Sequence, residues 1–122
     1  MAPILVIDDD PQINQLLQDV LEFEGYQVIT AQRAIEGLHH LETTTIDLVI
    51  TDVIMPDKEG LETIREMRQR YPQTKILAIS GGLSKGGVDV LDIAKRLGAN
   101  RVLSKPFVMQ DFLQSVRVLL EA

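Results

Sequence analysis

The residues with the most chemical potential in this chain follow short apolar runs. Ile4-Leu5-Val6-Ile7 leads into Asp8-Asp9-Asp10, and Ile46-Asp47-Leu48-Val49-Ile50 leads into Thr51-Asp52. Lys75-Ile76-Leu77-Ala78-Ile79 is followed by Ser80, Gly81 and Gly82, and Arg101-Val102-Leu103 by Ser104-Lys105-Pro106-Phe107. Taken singly, each piece has an ordinary structural role. A terminal Asp caps a helix, a Ser before glycines makes a turn, and a lone Lys is a solvated charge. Taken together they point elsewhere. If the runs are strands of one parallel sheet, Asp8, Asp9, Asp52, Ser80 and Lys105 meet at one end of it. Carboxylates so gathered repel, and a fold accepts that mainly where a cation or a reaction uses it. Oxygen donors without Cys or His select Mg²⁺. Lys105 is placed to neutralise the oxygens of a transferred phosphoryl group, and Ser80 to donate to another. A carboxylate can itself be the nucleophile and form an aspartyl phosphate. The set reads as phosphoryl transfer onto an Asp, catalysed by positioning and charge neutralisation.

The elements that must position these groups are legible as an alternation. Strand runs at 4–7, 26–29, 46–50, 75–79 and 101–103 are rich in β-branched residues, and three of them are nearly continuous in apolar residues, which suits strands covered on both faces. Between the first two, Ile13, Leu16, Leu17, Val20 and Leu21 repeat with a helical period. Asp10 is placed to N-cap that helix, Pro11 suits its first turn, and Gly25 a left-handed stop. Further helices are predicted over about 33–43, 59–70, 87–97 and 108–121, with Ala34, Leu38 and Leu41, then Leu61, Ile64 and Met67, inward on the first two of them. Glu66 and Arg70 pair on the wet face of the 59–70 helix. Right-handed crossovers require an open parallel sheet with helices on both faces. The predicted fold class is therefore α/β, a single flavodoxin-like (βα)5 domain over residues 1–122 with strand order 2-1-3-4-5. Its ligand crevice lies where strands 1 and 3 end.

Composition narrows the function classes. The chain has 122 residues, no cysteine and a formal net charge of −6, so disulfide frameworks and zinc-thiolate sites are excluded, and no basic face for nucleic acid is expected. No apolar run approaches the roughly 20 residues needed to span a bilayer, and the N-terminus lacks a signal-peptide pattern. A cytoplasmic location is the expectation. His39 and His40 are adjacent on a helix and diverge by about 100°, so they do not chelate one metal. Met55, Met67 and Met109 read as packing residues. Lys85 follows Ser84 rather than Gly, so the glycine-rich 81–87 segment is no nucleotide P-loop.

The four motifs ILVIDDD (4–10), DLVITDVIMPD (47–57) with Gly60, ILAIS (76–80) and LSKPF (103–107), in this order and spacing, resemble the receiver domain of two-component response regulators. The resemblance covers essentially the whole chain. It implies that Asp52 is the phosphoacceptor, taking a phosphoryl group from phosphohistidine on a sensor histidine kinase or a histidine phosphotransfer protein. It implies Mg²⁺ held by Asp9, Asp52 and the backbone carbonyl of Ile54, with Asp8 assisting through water. Lys105 and Ser80 would contact the phosphoryl group, and the Lys105–Pro106 peptide bond would be cis. Such a bacterial domain is not a stand-alone enzyme. It assists its own phosphorylation and dephosphorylation and switches a face made by the fourth helix, fifth strand and fifth helix. That face would engage a downstream protein, a fused output domain or a second copy of the chain. No direct nucleic-acid or membrane binding is expected.

One position departs from the pattern. Val102 stands where such receivers usually carry Tyr or Phe, so a conventional aromatic switch is not expected. Three other functions fit the residues less well. A haloacid-dehalogenase-type phosphatase shares the D-x-D spacing in Asp8-Asp9-Asp10, but Pro11 and Gln12 do not supply its usual hydroxyl, and the chain has no room for a cap domain. A flavin carrier would place phosphate where this chain has acids. A receiver-like scaffold that is never phosphorylated would not need the complete set of acids, hydroxyl and lysine.

Overall fold

A computed structural model of the chain describes residues 2–53, 60–81 and 90–121. The elements alternate as β1 (Ile4–Ile7), α1 (Pro11–Phe23), β2 (Val28–Ala31), α2 (Ala34–Thr43), β3 (Leu48–Asp52), α3 (Gly60–Arg70), β4 (Lys75–Ser80), α4 (Val90–Leu97), β5 (Arg101–Ser104) and α5 (Met109–Glu121). All four strand pairings are parallel, in the order β2-β1-β3-β4-β5. The expected fold class and strand order are thus observed.

Strand alternation divides the core into two layers. Leu5, Ile7, Val49, Ile76 and Ala78 face α2, α3 and α4, while Ile4, Val6, Leu48, Ile50, Leu77 and Ile79 face α1 and α5. That is why β1, β3 and β4 have no polar face: each of their sides is covered by helices. Among the described residues, no helix is long and apolar enough to cross a membrane.

Local chemistry sets the boundaries. The Asp10 carboxylate accepts from the Gln12 amide at 2.9 Å and so caps α1, with Pro11 in its first turn. Gly25 ends that stretch with φ +97°, a conformation that costs glycine little. Glu66 and Arg70 form the expected pair at 2.9 Å.

Three details differ from the sequence reading. β2 begins at Val28 rather than Tyr26, because the Tyr26 amide bonds back to Leu21 O at the end of α1. β3 is shifted by two residues, with Leu48 aligned on Ile4 and the strand running through Asp52. Leu16, expected in the buried stripe of α1, is 47% exposed, and the polar Asn14 is buried there instead, in phase with Leu17 and Leu21.

Two contacts fix the elements that carry the polar strand ends. Gly60 opens α3 against the chain after β3, and a Cβ at Gly60 would meet the Val53 carbonyl and lie 2.7 Å from Val53 Cα. Phe112, fully buried in α5, stacks with Phe107 at a centroid distance of 5.7 Å, just beyond Lys105 and Pro106. Replacing Phe112 with Ala should lower the unfolding free energy by about 3–5 kcal/mol, read from urea melts. A loss under about 1 kcal/mol would contradict its place at the centre of the α5 layer.

Candidate functional site

The carboxyl ends of β1, β3, β4 and β5 bring the expected groups together. Because the strands are parallel and in register, Ile7 aligns with Thr51, Asp52 with Ile79, and Ser80 with Ser104. Asp8, Asp52 and Ser80 therefore end adjacent strands on one side, and Lys105 follows β5. Ligand oxygens of Asp8, Asp9 and Asp52 all lie within 4.8 Å of one another. Asp8 and Asp52 are buried, while Asp9 is exposed. The Lys105 ammonium reaches between the two buried acids, 3.0 Å from Asp52 Oδ2 and 3.4 Å from Asp8 Oδ2.

The backbone around these side chains is tied down. The Asp10 amide donates to Asp8 Oδ1 at 2.9 Å, and the Val53 amide to Ile79 O at the same distance. The Lys105 amide donates to Ser80 O at 2.7 Å, so the lysine is anchored by its main chain to the end of β4. Ser80 is fully buried. The Lys105–Pro106 peptide bond is cis, as the resemblance implied.

Burial and charge set the protonation balance. Burial pushes the Asp8 carboxyl above the ordinary carboxylate range, and the charge of Asp52 adds to that push. The Asp10 amide and the Lys105 ammonium offset it only in part. Burial alone would lower the Lys105 ammonium, but hydrogen bonds and charge from Asp52 and Asp8 outweigh it, and the net shift is upward. The lysine therefore stays charged.

Three carboxylates with one ammonium leave the cluster negative. Its donors are all oxygen, with an exposed acid as an entrance, and they fit a hard divalent cation. The Ile54 carbonyl and the 82–87 glycine segment lie outside the described residues. One polar side chain beside the acids escaped the sequence reading. Asn14 Nδ2 donates to Asp8 O at 2.9 Å and to Ala31 O at 3.1 Å. Its phase with Leu17 and Leu21 was the available signal. Val102 lies half-buried on β5, packed against the layer that contains α4.

Residues 4–117 match the response regulator receiver domain. The chain is 34% identical over 120 residues to the transcriptional regulatory protein CpxR of Escherichia coli strain K12, covering 98% of this chain and 50% of that protein. Among solved structures, TrrA from Thermotoga maritima, in complex with Mg²⁺-BeF, matches with a TM-score of 0.84 and 33% identity, covering 98% of this chain and 100% of that one. The beryllofluoride-activated NtrC4 receiver domain dimer matches with a TM-score of 0.89 and 31% identity, covering 99% and 98%. The chain belongs to the response regulator receiver family of two-component signalling. Receivers are regulatory domains, and phosphorylation and Mg²⁺ binding at an acidic pocket are general to that family. The chain spans about half the length of the curated relatives it matches.

The raised Asp8 gives a signed pH prediction for the metal-free chain. A carboxyl raised on folding binds more protons in the native state, so its cost to stability is absent below the ordinary carboxylate range and grows as pH rises from that range through the raised native value. Asp8→Asn should therefore raise the urea midpoint at pH 7 in metal-free buffer, and the gain should shrink as pH falls through that range. A loss at pH 7 would mean that the Lys105 and Asp10 contacts outweigh burial.

Proposed function

We propose that Asp52 is the phosphoacceptor of this receiver and that one domain over residues 1–122 contains the complete phosphoacceptor site. The observation that carries this reading is the Lys105 ammonium held between Asp52 and Asp8 with Asp9 close by. An Asp52 carboxylate oxygen attacks the phosphorus of a phosphohistidine on a sensor histidine kinase or a phosphotransfer protein. An O–P bond forms, the N–P bond breaks, and the departing imidazole nitrogen takes the bonding pair and a proton from solvent water. Lys105 sits 3.0 Å from the attacking group and neutralises charge that accumulates on the phosphoryl oxygens. Ser80, one residue past the strand partner of Asp52, donates to another of those oxygens. Asp9, Asp52 and the Ile54 carbonyl would hold Mg²⁺, with Asp8 assisting through water. Bound there, the ion would supply charge that screens the carboxylates and the phosphoryl oxygens. By the same groups the domain assists its own phosphorylation and its later hydrolysis.

The product is a changed surface. Phosphorylation exchanges one carboxylate charge for up to two negative charges and adds strong acceptor oxygens beside Ser80 and Lys105, which end β4 and follow β5. The face of α4, β5 and α5 is continuous with those strand ends. It is the proposed readout surface for a downstream protein, a fused output domain or a second copy, a use consistent with the dimeric NtrC4 receiver.

Intact mass after incubation with Mg²⁺ and acetyl phosphate tests the chemistry. The native chain should gain about 80 Da, and Asp52→Asn should gain nothing. Lys105→Ala should slow the gain about 100-fold. An equal gain in Asp52→Asn would move the phosphoacceptor elsewhere.

A further inference from the structure

We infer that Asn14 is a positioning residue for the cation and phosphoacceptor site, an inference that rests on the roles just given to Asp8, Asp9 and Asp52. Asn14 lies in the first turn of α1, where its backbone amide donates to Asp10 O, and its side chain is buried. Both hydrogens of Nδ2 go to main-chain carbonyls, Asp8 O at 2.9 Å and Ala31 O at 3.1 Å. The first belongs to the residue just past β1 and the second to the last residue of β2. Ala31 O also accepts from the Asp8 amide at 3.1 Å. One side chain thus ties α1 to the ends of two strands where the acid turn begins.

The consequence for the site follows from peptide planarity. The Asp8 carbonyl and the Asp9 nitrogen share one rigid plane. Holding that oxygen orients the plane, and so sets the direction in which the Asp9 side chain leaves the turn. Asp8 is restrained from its other side by the Asp10 amide on its carboxylate.

Folding alone explains the amide poorly. Among the described residues, Asn14 Oδ1 is buried without a hydrogen-bond partner. An apolar side chain of similar size would remove that stranded acceptor while leaving Asp8 O without this donor. The exchange strands Asp8 O in place of Asn14 Oδ1 and also removes the bond to Ala31 O, which keeps its bond from the Asp8 amide, so the net cost to stability is about that of one hydrogen bond. What changes is which atom is held, and only Asp8 O lies in the acid turn.

The test compares the native chain with Asn14→Leu, Asn14→Gln and, as a control in the same helix, Leu17→Ala. Asn14→Ala replaces Asn14→Leu if the latter does not fold. In the metal-free chain, Asn14→Leu should speed amide exchange at Asp8 and Asp10 about tenfold or more, with β3 and β4 amides unchanged. It should weaken Mg²⁺ binding about 10–100-fold and slow phosphoryl uptake from acetyl phosphate similarly, with a smaller loss in urea midpoint than Leu17→Ala. Asn14→Gln, which keeps both donors, should recover part of the Mg²⁺ affinity. Leu17→Ala should lose stability and keep Mg²⁺ affinity. Native-like Mg²⁺ binding in a folded Asn14→Leu would overturn the inference, as would an equal loss of affinity in Leu17→Ala. If the native chain binds Mg²⁺ yet gains no phosphoryl group, the Asp52 assignment fails and the Mg²⁺ arm still decides Asn14. If it binds no Mg²⁺, both fall.

Discussion

The ammonium of Lys105 lies 3.0 Å from Asp52 and 3.4 Å from Asp8, both of them buried. Carboxylates withdrawn from water are costly unless paired and hydrogen-bonded, and the attraction that offsets the cost depends steeply on geometry. One cation does not balance three acids. The cluster keeps a negative remainder, and Asp8 registers it as a carboxyl pushed upward by burial and by Asp52. A site in this condition is poised to take up positive charge, and its all-oxygen donors favour a hard ion over a soft one.

Holding that geometry engages both flanks of the sheet. On one flank, the Lys105 amide is tied to Ser80 O, and the Phe107–Phe112 stack fastens the following turn to the α5 layer. The start of β5 is fixed from further away. Arg68 of α3 donates to Gly98 O and to Asn100 Oδ1, and Asn100 Oδ1 also accepts from the Ile76 amide. On the other flank, the Asp10 amide restrains the Asp8 carboxylate and the Asn14 side chain restrains its carbonyl. Gly60 lets α3 start against the backbone that follows Asp52. The parallel sheet makes this possible because all its strands end on the same side.

Much of this was legible because a two-faced core imposes continuous apolar strands. Val49 and Ile50 face opposite layers, so neither could be polar, and the run announces itself. The acids were legible for the complementary reason: they stand where the apolar runs stop. What escaped was decided by hydrogen bonds rather than hydrophobicity. The start of β2 depends on where the Tyr26 amide bonds, and Tyr26 is apolar enough to pass for a strand residue. Leu16 was expected inward and lies exposed because periodicity counts apolar residues and passes over Asn14. The inward phase of α1 includes a polar residue with main-chain partners above the strands. The cis bond before Pro106 came from family resemblance; local sequence sets only a low prior for it.

The same geometry separates the chemistry from its transmission. Asp8, Asp52, Ser80 and Lys105 all stand at or just beyond strand ends, whereas Val102 lies within β5, opposite Ala78 and packed toward α4. A residue there contributes volume to the α4 layer and none of the polar contacts around the acids. Valine is stiff about χ1 and smaller than an aromatic ring, so this position holds no side chain that could swing through a large arc. The main chain joins the Lys105 amide to Ser80 O, and Leu91 and Ala94 pack in the same layer as Val102.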